Sequence, residues 1–269
     1  MITHLIRYRA KYFSLLIALF LTINLISAQD TLYVYKAGAI VYKSAVSTVD
    51  SLSFTNITPT IGIISDLDGN SYQTKTFGSQ TWMVENLKTS KYRNGESIIN
   101  LTEAADWSAT TQGAWCNYNN DVANSIKYGK LYNWWAVNDS RNIAPDGWHV
   151  ATDADWTALE AYVSTHYGTS LSTGKALAGT TEWPTDAGSS TIGNDPSINN
   201  YSGFNALPSG FRCYTATFYF QGEQTRFWTS TSFSDTTAWM RYLYFNNNYL
   251  GIYNGALKNV GFSIRCVKD

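Results

Sequence analysis

The most constraining feature of this sequence is a change of hydrophobic period near its middle. Thr152, followed three residues later by Asp155, has the layout of a capping box. Trp156, Leu159, Tyr162 and Val163 then form one apolar stripe, which predicts a helix ending near Gly168. Upstream, residues 130–137 place Leu131, Trp134 and Trp135 at i, i+3 and i+4, which predicts an earlier helix. Beyond Gly168 the helical period is lost. A long polar stretch rich in Gly, Ser, Thr, Asn and Asp follows, densest over 185–203. Short strand-like runs return at 226–230, 238–245, 249–253 and 262–267, and two more precede the helices at 72–77 and 80–84. Helices in the middle and strands toward both ends predict an α+β fold with helices on one side of an antiparallel sheet.

The N-terminal residues read differently. Arg7, Arg9 and Lys11 precede an apolar run over 13–23, and the small pair Ser27-Ala28 precedes polar Gln29-Asp30. That is the layout of a secretory signal peptide over 1–28, and the run is too short for the roughly 20 apolar residues of a membrane span. An exported chain with no membrane span after cleavage is expected, secreted or at the cell surface, with the periplasm as the alternative. Residues 29–58 read as a small β unit with strands at 31–36 and 39–44 around an Ala37-Gly38 turn. Residues 59–65 read as a linker, and 66–269 as the main domain.

Of 19 Lys and Arg, three lie in the leader, leaving 16 against 20 Asp and Glu, a net charge of −4. Without clustered basic residues, neither nucleic acid nor an anionic membrane surface is an expected partner. Ten Trp and 19 Tyr against so few charges supply rings both for a core and for a binding platform. Cys116, Cys213 and Cys266 have no CxxC spacing, and beyond the leader only His149 and His166 are present, so no zinc site is expected. In an oxidising compartment two of the three thiols would pair, and spacing alone leaves the pairing open.

Seven segments in order carry a resemblance: 68–72 (DGNSY), 80–87 (QTWMVENL), 128–136 (YGKLYNWWA), 144–152 (APDGWHVAT), 202–212 (SGFNALPSGFR), 227–232 (FWTSTS) and 261–268 (GFSIRCVK). Together they resemble the Fibrobacter succinogenes major paralogous domain family, found in exported proteins of the Fibrobacteres and Bacteroidetes. That family is similar to C-type-lectin-like domains and, more distantly, to sulfatase-modifying factors. The resemblance implies two helices, a sheet joining the N- and C-terminal strands, and a long loop region before the last strands. It also implies a Cys116–Cys266 disulfide, leaving Cys213 free. It implies no defined catalytic activity.

The residues themselves offer little for catalysis. There is no Gly-x-Ser-x-Gly elbow, and both histidines read as structural. Asp66, Asp68 and Asn70 begin like a calcium loop, but Gly69 falls one position early and no Glu stands at the twelfth position. The segment reads as a hairpin turn. No cofactor or metal ligand set is assigned, with structural calcium kept as the alternative. Binding is the remaining reading. Alternation over 239–245 puts Trp239 and Arg241 on one face with Leu243 and Phe245, and Tyr242 with Tyr244 on the other. Trp228 and Trp239 are assigned to the core. Arg241, Tyr242, Tyr244, Asn246, Asn248, Tyr249 and Tyr253 are the candidate ligand-binding residues, for a glycan or protein ligand held by a non-enzymatic module. The competing readings are a carbohydrate-active enzyme and a structural surface protein without a ligand.

Overall fold

The computed structural model describes residues 62–167 and 172–269, together with the backbone of 31–36 and 39–45. The chain divides into two compact units, 1–58 and 59–269. In the first, β1 (Thr31–Lys36) pairs antiparallel with β2 (Ala39–Ala45), with a register shift between Val34 and Tyr35. Residues 1–30, 37–38, 46–61 and 168–171 lie outside the described residues, and with them the expected signal peptide and the expected turn at Ala37-Gly38.

The second unit opens with β3 (Gly62–Ser65), β4 (Ser71–Phe77), β5 (Gln80–Met83) and β6 (Ile99–Asn100). Then come α1 (Ala104–Ala109), β7 (Ala114–Cys116), α2 (Val122–Tyr128), β8 (Leu131–Tyr132), α3 (Trp134–Val137) and β9 (Trp148–Val150). The helices α4 (Asp153–Tyr167) and α5 (Thr173–Leu177) precede the long loop. The chain finishes with β10 (Ser209–Arg212), β11 (Phe218–Gln221), β12 (Gln224–Ser232), β13 (Thr237–Tyr244), β14 (Gly251–Leu257) and β15 (Cys266–Lys268). The fold is α+β. One five-stranded antiparallel sheet has the order β3-β4-β5-β15-β9, so the last strand sits between two early ones. A second has the order β11-β10-β12-β13-β14, antiparallel except for one parallel bridge between β10 and β12. A small sheet joins β6, β7 and β8.

Two local readings change. Residues 62–65, expected in the linker, form β3, because the turn that follows folds the chain straight back onto β4. Asp66 organises that turn: its Oδ1 accepts from the amides of Asp68 and Asn70, and its Oδ2 from Asn70 Nδ2 and the Tyr72 hydroxyl. The helix expected over 130–137 is only its second half. Leu131 and Tyr132 are drawn into strand pairing with Trp115 and Cys116, and Asn133 then caps the single turn of α3 through the Ala136 amide.

Helix α4 starts as its sequence dictates. Thr152 Oγ1 accepts from the Asp155 amide at 3.1 Å, and the Asp155 carboxylate accepts in return from the Thr152 amide at 2.8 Å. Its stripe seats Trp156 against Trp82 at 4.8 Å and against Phe227 at 5.0 Å, with Leu159 and Val163 in the same core. That core fills the space between the two large sheets and α4. A second, built on Tyr72, Trp134, Trp228 and Phe262, lies on the other side of β12 and β13. The polar stretch after α5 is held from within. The ammonium of Lys175, 2% exposed, donates to the carbonyls of Thr191, Asn194 and Asp195. The Asp186 carboxylate accepts from Gly188 and Thr191, and Asn199 Nδ2 donates to Gly179 and Ile192.

His149 joins two carboxylates. Its Nδ1 meets Asp269 Oδ1 at 2.7 Å and its Nε2 meets Asp155 Oδ2 at 3.1 Å, so both ring nitrogens are committed. Burial by itself pulls its pKa down, but the hydrogen bonds to Asp269 and Asp155 outweigh it and hold the value above the ordinary 6.5. Asp155 is shifted the other way: burial raises it, while bonds from Thr152 and His149 bring it below 3.8. The His149 contribution is full below 6.5 and fades as pH rises through its raised folded value; the Asp155 contribution is full above 3.8 and fades in acid. The melting-temperature gap between wild type and His149→Gln should therefore be wider at mildly acidic than at mildly alkaline pH. With the side chain about a third exposed, the effect is under about 1 kcal/mol. An equal gap at both pH values would refute the charged pairing.

The expected Cys116–Cys266 disulfide is not formed, and all three cysteines are free thiols. Cys116 lies on β7 in a cluster with Trp107 and Leu131, whereas Cys266 lies on β15 in the cluster around Tyr72 and Trp148. The two belong to different sheets, and each is enclosed by its own neighbours. Burial pushes the Cys116 thiol up to about 12 and raises Cys266 as well. Cys213 is half-buried. A thiol reagent should accordingly titrate one cysteine in the native protein and three after denaturation, with or without reductant. Fewer than three in the denatured, unreduced protein would show that a bridge forms.

Candidate recognition surface

The sheet β11-β10-β12-β13-β14 has two unlike faces. Across the ladder, Gln224 pairs with Tyr244, Arg226 with Tyr242 and Trp228 with Met240; on the next strand Tyr242 pairs with Gly251 and Met240 with Tyr253. Paired residues share a face, so these eight positions form one surface. Phe227, Arg241 and Leu243 turn the other way, toward α4.

Arg241 therefore does not belong to the candidate ligand set. It is 2% exposed, with Nη2 at 2.8 Å from Asp153 Oδ1 and from Thr157 Oγ1, and Nη1 at 3.3 Å from Glu160 Oε2. Three α4 residues spaced along one helical face hold it, which makes it a tie between α4 and β13. Trp239, assigned to the core from sequence, is half-buried and packs edge-on against exposed Phe233 at 5.6 Å. Trp228 is fully buried, with its indole donating to the Tyr132 carbonyl.

The opposite face runs from the buried Trp228–Met240 end out to open rings. Tyr242 and Tyr244 are half-buried, while Asn246, Asn248, Tyr249 and Tyr253 are exposed. Gly251 lets the Tyr242 ring lie across β14, since any Cβ there would come within 2.2 Å of it. Burial raises the Tyr242 phenol, and the Tyr249 phenol beside it adds to the shift. The face also contains residues the sequence did not single out. Phe211 and Tyr219 pair across β10 and β11, and Phe220 stacks on Phe211 at 6.0 Å and meets Tyr244 edge-on at 6.1 Å. Phe220 has φ 60°, a conformation bulky side chains avoid, and it is 43% exposed. That backbone turns its ring to the side occupied by Tyr219, opposite Gly210, which has φ 65° and no room for a side chain. A strained, exposed aromatic on such a face is the kind of feature that marks a working surface.

Arg226 completes the surface. Its guanidinium lies 3.7 Å from the Phe211 ring centroid, and its Nε donates to Gln224 Oε1 at 2.9 Å. Burial brings its pKa down to about 10, against the opposing influence of Cys213, Tyr242 and Tyr253. Alternation with Trp228 could have flagged Arg226, but sequence alone does not say which face of the strand stays open.

Two polar clefts of about 450 Å³ each lie away from this surface. In the first, the Glu85 carboxylate pairs with Lys88 at 3.2 Å and Lys127 pairs with Glu182 at 2.6 Å. In the second, Arg141 binds Asp139 at 2.7 Å and pulls its carboxyl down to about 2. Among the described residues, no group of three His, Cys, Asp or Glu side chains converges as a metal site would require. No described helix is long and apolar enough to cross a membrane.

Residues 76–268 match the Fibrobacter succinogenes major domain. The chain belongs to this family. No curated protein and no solved structure gives a significant match. The matched stretch of the Fibrobacter succinogenes major domain begins at the end of β4 and ends on β15. It therefore contains the whole ring-lined sheet, α4 that braces its back, and the loop region between them.

Proposed function

We propose that this protein is an exported, non-enzymatic recognition module with a C-type-lectin-like fold, and that the ring-lined face of β10–β14 binds a glycan. One observation carries the reading. Tyr219, Phe220 and Tyr253 present exposed rings on one side of a sheet whose other side is sealed by α4. Flat rings on a rigid support stack against the C–H faces of sugars, and the phenols, with Asn246 and Asn248 at the rim, supply hydrogen bonds to hydroxyls. The lectin-like reading is supported by β15 lying between β5 and β9, and by the loop region that precedes the last strands. The competing enzymatic reading gains nothing from His149, whose two nitrogens are both held by carboxylates.

The test is a glycan array probed with the full-length protein, with calcium and with chelator. Saturable binding to defined sugars is expected. Tyr253→Ala and Phe220→Gly should each lower it about tenfold, the loss of one stacking ring. Phe220→Gly should do so with a melting temperature close to wild type, because glycine relaxes the positive φ while the ring is lost. No binding to any glycan would sink the proposal, and loss of binding in chelator would put a calcium ion at the site.

A further inference from the structure

Strands β10–β14 contain three arginines and no Asp or Glu. Two of the arginines are fully used. Arg241 is neutralised by Asp153 and Glu160, and Arg212 donates to the carbonyls of Leu101, Thr102 and Ala216. Arg226 differs from both. It stands on the ring-lined face, stacked on Phe211, with only its Nε bonded, to an amide oxygen. Its two terminal nitrogens meet no acceptor among the described residues, yet they are not sealed from solvent. Burial without an anion disfavours the charge, and the lowered pKa of this guanidinium reports that imbalance. An incoming carboxylate would offset it. A guanidinium held flat against a ring offers two parallel N–H donors, the geometry of a bidentate carboxylate pair.

We infer that the ligand of this face is an acidic polysaccharide, whose uronate carboxylate docks on the Arg226 fork while its sugar rings lie on Tyr219, Phe220 and Tyr253. The inference rests on the glycan reading given above. A uronate carries its carboxylate directly on the pyranose ring, so charge and stacking face arrive as one rigid unit. The surface presents the matching pair, a cation stacked on Phe211 on the face that also carries the exposed rings. Protein partners, by contrast, anchor side chains in desolvated pockets, and both clefts described above lie elsewhere on the molecule.

The experiment is native affinity electrophoresis of the full-length protein in gels containing one of three polymers. These are polygalacturonate, the same polymer with its carboxyls reduced to alcohols, and poly-glutamate. Wild type should bind polygalacturonate about tenfold more tightly than the reduced polymer, as one charge-assisted fork would give. Arg226→Met, whose stem still packs on Phe211, should bind both polymers equally and melt like wild type. Arg226→Lys should restore only part of the preference, because an ammonium lacks the fork. Equal wild-type binding to the charged and reduced polymers overturns the carboxylate inference and leaves glycan recognition standing; binding to neither sinks both. Poly-glutamate held as tightly as polygalacturonate would assign the face to an acidic peptide and overturn the inference. Should Arg226→Met fold poorly, the wild-type preference for the charged polymer must still shrink at high salt, and a salt-independent preference would refute a role for charge.

Discussion

Replacing Arg265 with methionine should lower the unfolding free energy by about 4 kcal/mol or more, since each buried acceptor left without its donor costs about 1–3 kcal/mol. Arg265 is 1% exposed and donates to Asn86 Oδ1 and to the carbonyls of Met83, Phe204 and Asn205. Its guanidinium also lies 4.5 Å from the Phe204 ring centroid. One side chain thus ties β5 to the end of the long loop. Methionine fills much of the volume and satisfies none of the acceptors. Lysine would reach fewer of them, and its single ammonium cannot reproduce the fork. The measurement is a urea denaturation midpoint with unchanged m-value. A loss below about 1 kcal/mol would mean that water reaches these carbonyls and that the tie is dispensable.

Lys175→Met should cost about 3 kcal/mol, by the same reasoning applied to three carbonyls served by one ammonium. Burial pulls the Lys175 pKa down and Asp195 offsets only part of that, so burying this ammonium works against its charge. The variant should differ from Arg265→Met in kind. Lys175 gathers Thr191, Asn194 and Asp195, all within the polar stretch, so its loss should loosen that stretch ahead of global unfolding. Limited proteolysis under native conditions should then cut within 185–203 in the variant and leave wild type intact. Proteolysis indistinguishable from wild type would show that Asp186 and Asn199 hold the loop unaided.

The sequence made some of this architecture readable because the deciding interactions are local. The Thr152–Asp155 box and the stripe from Trp156 to Val163 need only residues three or four apart, and α4 follows them. The alternation along β13 likewise sorts Arg241 and Leu243 from Tyr242 and Tyr244. What alternation cannot say is which face another element will cover. Asp153, Thr157 and Glu160 reach Arg241 from more than 80 residues away, so an arginine that looked ready for a ligand is internal. Arg226, two residues before Trp228, is the cation left on the open side. The same limit explains the shortened helix at α3, where pairing of Leu131 and Tyr132 with β7 overrides a helical spacing. It also explains the polar stretch, which reads as solvated loop but wraps a buried lysine.

The place of β15 bears on how the protein is made. Val267 pairs with Trp82 on one side and with His149 on the other, so the middle of a sheet waits for a strand synthesised well after both of its neighbours. Emerging from a ribosome or a translocation channel, a chain of this topology has β5 and β9 in hand long before the strand that joins them. It cannot close its core piecemeal. A nascent chain stopped before Arg265 should stay open and susceptible to protease, then close within one cooperative step once β15 has emerged.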